Sequence, residues 1–163
     1  MVVSGILLSC GQVRNNAPEP NGGVTSGKAR AACTGLNSGD WVGTIVSHGI
    51  ANLTADTALI RCTLLSFLDE GSQLDSFAIA SYEYTDSIDY FLEGFGSNGS
   101  NSRAARINLD VDGSSNMKLL VSMQMMGESC NGDPCSHCYF KQGGGCGCKN
   151  AKGFERCNHN ISK

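Results

Sequence analysis

Apolar and polar residues alternate most cleanly between positions 105 and 126. Ile107, Leu109 and Val111 interleave with Arg106, Asn108 and Asp110. Asp112-Gly113-Ser114-Ser115-Asn116 breaks the run, and Met117, Leu119, Val121, Met123 and Met125 then interleave with Lys118, Leu120, Ser122, Gln124 and Met126. A period of two with a turn-forming break predicts a β-hairpin with one buried face. Strands are also predicted over residues 41–47, 57–68, 76–84 and 87–95, separated by Asp69-Glu70-Gly71-Ser72 and by a Gly/Ser/Asn loop over residues 96–102. Residues 57–68 are apolar on both faces, which suits a central strand, although their composition is also compatible with a helix. About six to seven strands at roughly ten-residue spacing predict an all-β domain over residues 41–128, an antiparallel sandwich or small barrel.

Residues 129–163 follow another rule. Six of the nine cysteines lie there, at Cys130, Cys135, Cys138, Cys146, Cys148 and Cys157, with Gly at 143, 144, 145, 147 and 153 and few aliphatic residues. Such a tail is expected to be irregular and to need covalent or metallic cross-links to be ordered. The spacing C-x4-C-x2-C-x7-C-x-C-x8-C, with His137 inside the C-x-x-C and His159 two residues past Cys157, contains the donor types of a zinc or copper thiolate site. It departs from a zinc ribbon, because the pairs are seven residues apart and the second is C-x-C. The C-x-C and C-x-x-C pairs are similar to those of metallothionein-like sequestration proteins. A thioredoxin-like role for Cys135 and Cys138 would need a helix starting at the first cysteine, which Pro134 and the surrounding glycines do not supply.

At the other end, an apolar run closes on Leu7-Leu8-Ser9-Cys10, which resembles the lipobox of bacterial lipoproteins. The resemblance covers about ten residues and implies lipidation of Cys10, a membrane partner, and a periplasmic or cell-surface location. No Lys or Arg precedes the run, and a start upstream of Met1 would supply the missing part of the signal. Residues 11–40, centred on Asn15-Asn16-Ala17-Pro18-Glu19-Pro20-Asn21-Gly22-Gly23, carry no apolar period and are expected to be a flexible linker spanning about 30 Å. In an oxidising compartment disulfides are favoured. With Cys10 set aside, eight cysteines remain: Cys33, Cys62 and the six of the tail. Cys33 with Cys62 would staple the linker's end to the sheet, while six tail cysteines allow fifteen pairings.

Charge sharpens this division. Residues 1–128 hold 7 Lys and Arg against 13 Asp and Glu, whereas residues 129–163 hold 5 against 2, so an acidic body precedes a basic tail. Only Arg61 is basic between Asp40 and Glu93, which argues against nucleic acid as a partner.

Several motifs carry no chemistry. Gly94-Phe95-Gly96-Ser97-Asn98-Gly99 fits G-x-G-x-x-G but precedes a predicted strand, not the helix a pyrophosphate needs, and is expected to be a loop. Asp110-Val111-Asp112-Gly113 is expected to be a hairpin turn, since Val121 stands where a calcium loop has its bidentate Glu. Glu83, Asp86 and Asp89 are close in sequence, and no G-x-S-x-G occurs. Ser38-Gly39-Asp40-Trp41-Val42-Gly43-Thr44-Ile45 is similar over eight residues to the start of lipocalin-type barrels, which would imply an apolar ligand in a lumen; an ordinary buried Trp on a first strand is the simpler expectation.

The sequence thus leads to a non-enzymatic, lipid-anchored extracytoplasmic protein without catalytic residues or a cofactor. Its disulfide-stapled tail would act as a binding or assembly surface for another envelope protein or a second copy. The alternative is a zinc or copper protein using Cys130, Cys135, His137, Cys138, Cys146, Cys148, Cys157 and His159.

Overall fold

A computed structural model describes residues 33–113 and 117–162. Along the chain lie β1 (Trp41–Ser47), β2 (Ile50–Leu53), α1 (Thr57–Ser66), β3 (Gln73–Glu83), β4 (Ile88–Asn98), β5 (Asn101–Val111), β6 (Lys118–Val121), β7 (Gly127–Gly132), β8 (Cys138–Phe140), β9 (Cys146–Cys148) and β10 (Cys157–Ser162). The fold is all-β and antiparallel, with one helix among the described residues. Cys10 and most of the expected linker lie outside the described residues.

Strands β1 to β6 form a nearly closed, barrel-like sheet in which β3, β4, β5, β6, β1 and β2 pair in that order. β2 and β3 meet across the seam at the β1–β2 turn, where the Ser81 hydroxyl donates to the Gly49 carbonyl at 2.6 Å and His48 pairs with Glu83 at 3.1 Å.

Residues 57–68, expected as a strand, begin with α1. The Asp56 carboxylate accepts from the Ala58 and Leu59 amides at 2.7 and 3.3 Å and so caps the first turn. Ile60, Leu64 and Leu68 recur at helical spacing and bury themselves in the concave face of the sheet. There they meet Val42, Leu92, Ile107, Leu119 and Val121. Fully burying Ile60 and Leu64 contributes about 1.5–3 kcal/mol each. The helix fills the side where a lipocalin-type barrel would hold its ligand. Trp41 is neither a plug nor buried: it is 49% exposed, lies under Lys118 and donates its indole N–H to the Gly43 carbonyl at 2.7 Å.

Residues 33–40, counted with the linker, are fixed to this core. Leu36 is buried, its amide donates to Thr63 Oγ1 at 2.6 Å, and Cys33 bonds to Cys62 on α1.

The expected loop over residues 96–102 is mostly strand. β4 and β5 stay paired out to Asn98 and Asn101, leaving Gly99-Ser100 as the turn, with Gly99 at φ +60°. Glycine is required earlier in the run, because a side chain on Gly96 would collide with the Gln73 carbonyl of β3.

The second arm of the 105–126 hairpin is interrupted. β6 pairs with β5 from Leu109↔Val121 to Val111↔Leu119, and β7 pairs with the same edge from Ile107↔Gly127 to Arg103↔Asn131. Residues 122–126 therefore bulge out opposite Asn108, closed by the Met125 amide on the Ser122 carbonyl at 2.9 Å with Met125 at φ 35°. At this bulge the sheet forks. β6 continues into β1 and β2, and β7 continues into β10.

Gly127 resumes the ladder directly against the Phe67 ring at the end of α1, with no room for a methyl group. Gly127→Ala should destabilise the fold by about 1–3 kcal/mol in urea titration, the usual cost of overpacking a core. A change within about 0.5 kcal/mol would show that Phe67 yields freely.

Candidate functional site

The cysteine-rich segment folds back over the outer face of the sheet. β7 and β10 extend that sheet in register from Gly127↔Ser162 to Gly132↔Cys157. β8 and β9 form a separate hairpin, paired Cys138↔Cys148, Tyr139↔Gly147 and Phe140↔Cys146. The hairpin is an apolar cap: Phe140, Cys135, Cys138 and Cys130 are buried against Ala104, with Phe95, Cys146, Cys148 and Cys157 around them. Its tip reaches the β3–β4 turn, where the Gln142 amide donates to the Glu83 carbonyl at 2.5 Å and the Gly143 amide donates to Tyr84 Oη at 3.2 Å.

Four disulfides use eight cysteines: Cys33–Cys62, Cys130–Cys146, Cys135–Cys148 and Cys138–Cys157. The tail's three bridges close loops with sequence separations of 16, 13 and 19 residues. Loops of that size contribute about 3 kcal/mol each by restricting the unfolded chain. This replaces the aliphatic core the segment lacks.

Beneath the cap lies a charged cluster that the alternation did not reveal. Arg106 on β5 stands directly opposite Glu93 on β4 and Glu128 on β7. Its guanidinium is 3.0 Å from Glu128 and 3.6 Å from Glu93, and it lies over Phe91 and Phe140 at 4.3 and 4.4 Å from their ring centres. The side chain is only 3% exposed. Tyr82 Oη donates to Glu93 at 2.8 Å, and His159 on β10 shares Glu128 Oε2 with Arg106, also at 2.8 Å. Arg106 Nε has no partner among the described residues.

Burial pushes the Glu93 carboxyl above the ordinary carboxylate range, although the Tyr82 hydrogen bond and the Arg106 charge oppose the shift. Burial, then the bond to Glu93, push the Tyr82 phenol up to about 12. A second ion pair fastens the loop after α1: Arg103 donates through Nε and Nη2 to the two carboxylate oxygens of Asp69 at 2.8 and 2.9 Å. The guanidinium holds Asp69 well below the usual carboxylate range.

The sequence candidates separate clearly. Cys135, Cys148 and Cys157 have sulfurs within 4.8 Å of one another and are the cluster of possible metal donors found among the described residues. Neither histidine joins them: His137 is exposed and bonds Ser136 at 3.1 Å, and His159 faces Glu128. Each of those sulfurs is in a disulfide, without the negative charge a thiolate ligand brings. Glu83, Asp86 and Asp89 surround the exposed end of the β3–β4 hairpin, with Glu83 held by His48. The chain matches no protein family, no curated protein and no solved structure.

Removing Arg106 would leave carboxylates buried without their counter-charge. Arg106→Ala should cost about 3–5 kcal/mol in denaturant unfolding, and a loss under about 1 kcal/mol would show that water reaches the cluster. Tyr82 tests the same site from the alkaline side. A phenol harder to ionise in the fold than in the unfolded chain stabilises the fold below the ordinary value of 10, and that contribution is lost as pH rises towards about 12. Tyr82→Phe should therefore flatten the fall in stability across that window and remove one phenolate absorbance step near pH 12.

Proposed function

We propose that the protein is a non-enzymatic, lipid-anchored extracytoplasmic protein whose stapled tail serves as a binding or assembly surface. The observation that carries this reading is the pairing of cysteines. All eight from Cys33 onward pair among themselves, which leaves Cys10 as the odd one among the nine cysteines of the sequence. An odd cysteine that closes Leu7-Leu8-Ser9-Cys10 suits the thioether of a lipid anchor. Four disulfides in a chain of 163 residues suit an oxidising compartment outside the cytoplasm.

The tail's outer surface supports the binding role. Tyr139, Phe154 and Ile161 are exposed, Phe154 by 82%, and Lys149, Lys152 and Arg156 lie exposed in the loop that carries it. Apolar and aromatic side chains among cations on a rigid, cross-linked frame present a surface with little ordering entropy to lose on binding. An acidic partner in the envelope, or the acidic body of a second copy, has the matching charge.

A second reading, a zinc or copper protein, is supported by the three clustered sulfurs of Cys135, Cys148 and Cys157. The two readings separate on protein taken from its native host. The anchored, stapled protein has no alkylatable thiol, a mass about 8 Da below the reduced chain for its four bridges, and a diacylglycerol adduct on Cys10. Cys10→Ala should then remove the adduct and release the protein from the membrane fraction. Unchanged fractionation would rule out anchoring through Cys10, and thiols that react only after chelation would favour the metal reading.

A further inference from the structure

Two of the tail's bridges lie side by side. Cys138 and Cys148 face each other as directly paired residues of β8 and β9, Cys148 is bonded to Cys135, and Cys138 is bonded to Cys157. The sulfurs of Cys135, Cys148 and Cys157 all lie within 4.8 Å of one another, and the Cys138 sulfur is covalently attached to one of them. A tetrahedral zinc bound by four thiolates at about 2.3 Å needs sulfurs about 3.8 Å apart. We infer that these four cysteines form a redox-gated zinc site, closed as two disulfides in the oxidised protein and open to one zinc ion after reduction.

The inference rests on the stapled reading, because the bridges are its oxidised state. Chemical balance is simple. Each bridge takes two electrons and two protons from a dithiol reductant, which becomes a disulfide, and yields two thiols. Zinc then displaces four protons from the four thiols and leaves a dianionic centre.

Backbone contacts, besides the bridges themselves, place these four residues, and only the Cys138 sulfur lies outside the mutually close set and has to swing in once freed. Cys138 and Cys148 are set by the β8–β9 backbone ladder, Cys135 by the donation of the Ser102 amide to its carbonyl at 2.9 Å, and Cys157 by its register with Gly132 of β7. Lys149 and Arg156 adjoin Cys148 and Cys157 in sequence and oppose the negative charge of the centre. The remaining tail bridge stays outside: Cys146 turns its sulfur toward the Ser129 and Asn158 carbonyls, each at 3.8 Å. The exposed His137 and the Glu128-bound His159 are likewise no part of the set.

The test reduces the protein anaerobically with a phosphine, adds zinc alone, and combines native mass spectrometry with mapping of alkylated cysteines. About one zinc per chain is expected, with zinc lowering the labelling of Cys135, Cys138, Cys148 and Cys157 and leaving that of Cys33, Cys62, Cys146 and the buried Cys130 as it is without zinc. Cobalt in place of zinc should give the intense visible spectrum of a tetrahedral thiolate site. Cys148→Ser should weaken zinc binding beyond the roughly tenfold to hundredfold cost of losing an outer-shell partner. Shielding is mapped on the unsubstituted chain, so the result does not depend on how the variant folds. Absence of zinc from the reduced protein, or zinc-dependent shielding of any cysteine outside the four, would overturn the inference while leaving the stapled reading intact. Zinc in protein that was never reduced would overturn the stapled reading instead.

Discussion

A guanidinium held between two phenyl rings and two carboxylates joins the halves of this molecule. Arg106 belongs to the central strand, yet one of its ring partners, Phe140, comes from the cysteine-rich cap, and one of its carboxylates, Glu128, from the strand that leads into the cap. Desolvating such a charge is expensive unless every neighbour is in place. The cap must therefore seat in one register, with Phe140 over Arg106, or the ion cluster is left exposed to partial hydration. An apolar patch alone would tolerate sliding. The cluster supplies the specificity, and the disulfides keep the cap compact enough to use it.

The fork in the sheet has the same logic. One edge of β5 serves two successive strands, β6 and β7, separated by the bulge at residues 122–126. Below the bulge the ladder builds the barrel around α1; above it the ladder builds the platform for the cap. β5 is thus covered on both sides, by the helix core on its concave face and by the cysteine cluster on the other. Asp69 and Arg103 tie the loop after α1 to this strand at its cap end.

This double coverage explains what could be seen in the sequence. The alternation of Ile107, Leu109 and Val111 with polar residues was enough to predict β5 and its antiparallel pairing with the strand that follows. It made Arg106 look like a solvent-facing partner, because alternation reports one buried face and says nothing of a cap added later in the chain. Within the cap, cross-links and glycine do the packing that apolar side chains do elsewhere. Tyr139, for example, lies over Gly147, its cross-strand partner. Strands β7 to β10 therefore carry no period of two to detect. α1 was ambiguous for a different reason: residues 57–68 are apolar almost throughout, and the deciding signal is the single cap at Asp56 with Ile60, Leu64 and Leu68 in step behind it. The glycines of residues 94–99 suggested a loop, but only Gly99 sits in the turn, while Gly94 and Gly96 admit the close approach of β3.

The order of bridging carries a further consequence for biogenesis. In the tail the first cysteine bonds the fourth, the second bonds the fifth, and the third bonds the sixth. Cys130, Cys135 and Cys138 therefore have no correct partner until Cys146, Cys148 and Cys157 have emerged, whereas Cys33 and Cys62 are complete much earlier. A chain delivered amino end first finishes its barrel staple while three tail thiols are still waiting. Any premature bond among those three must be undone before the crossed set closes. Closing the cap therefore calls for thiol exchange as well as chain collapse, and such exchange takes seconds to hours depending on the oxidant.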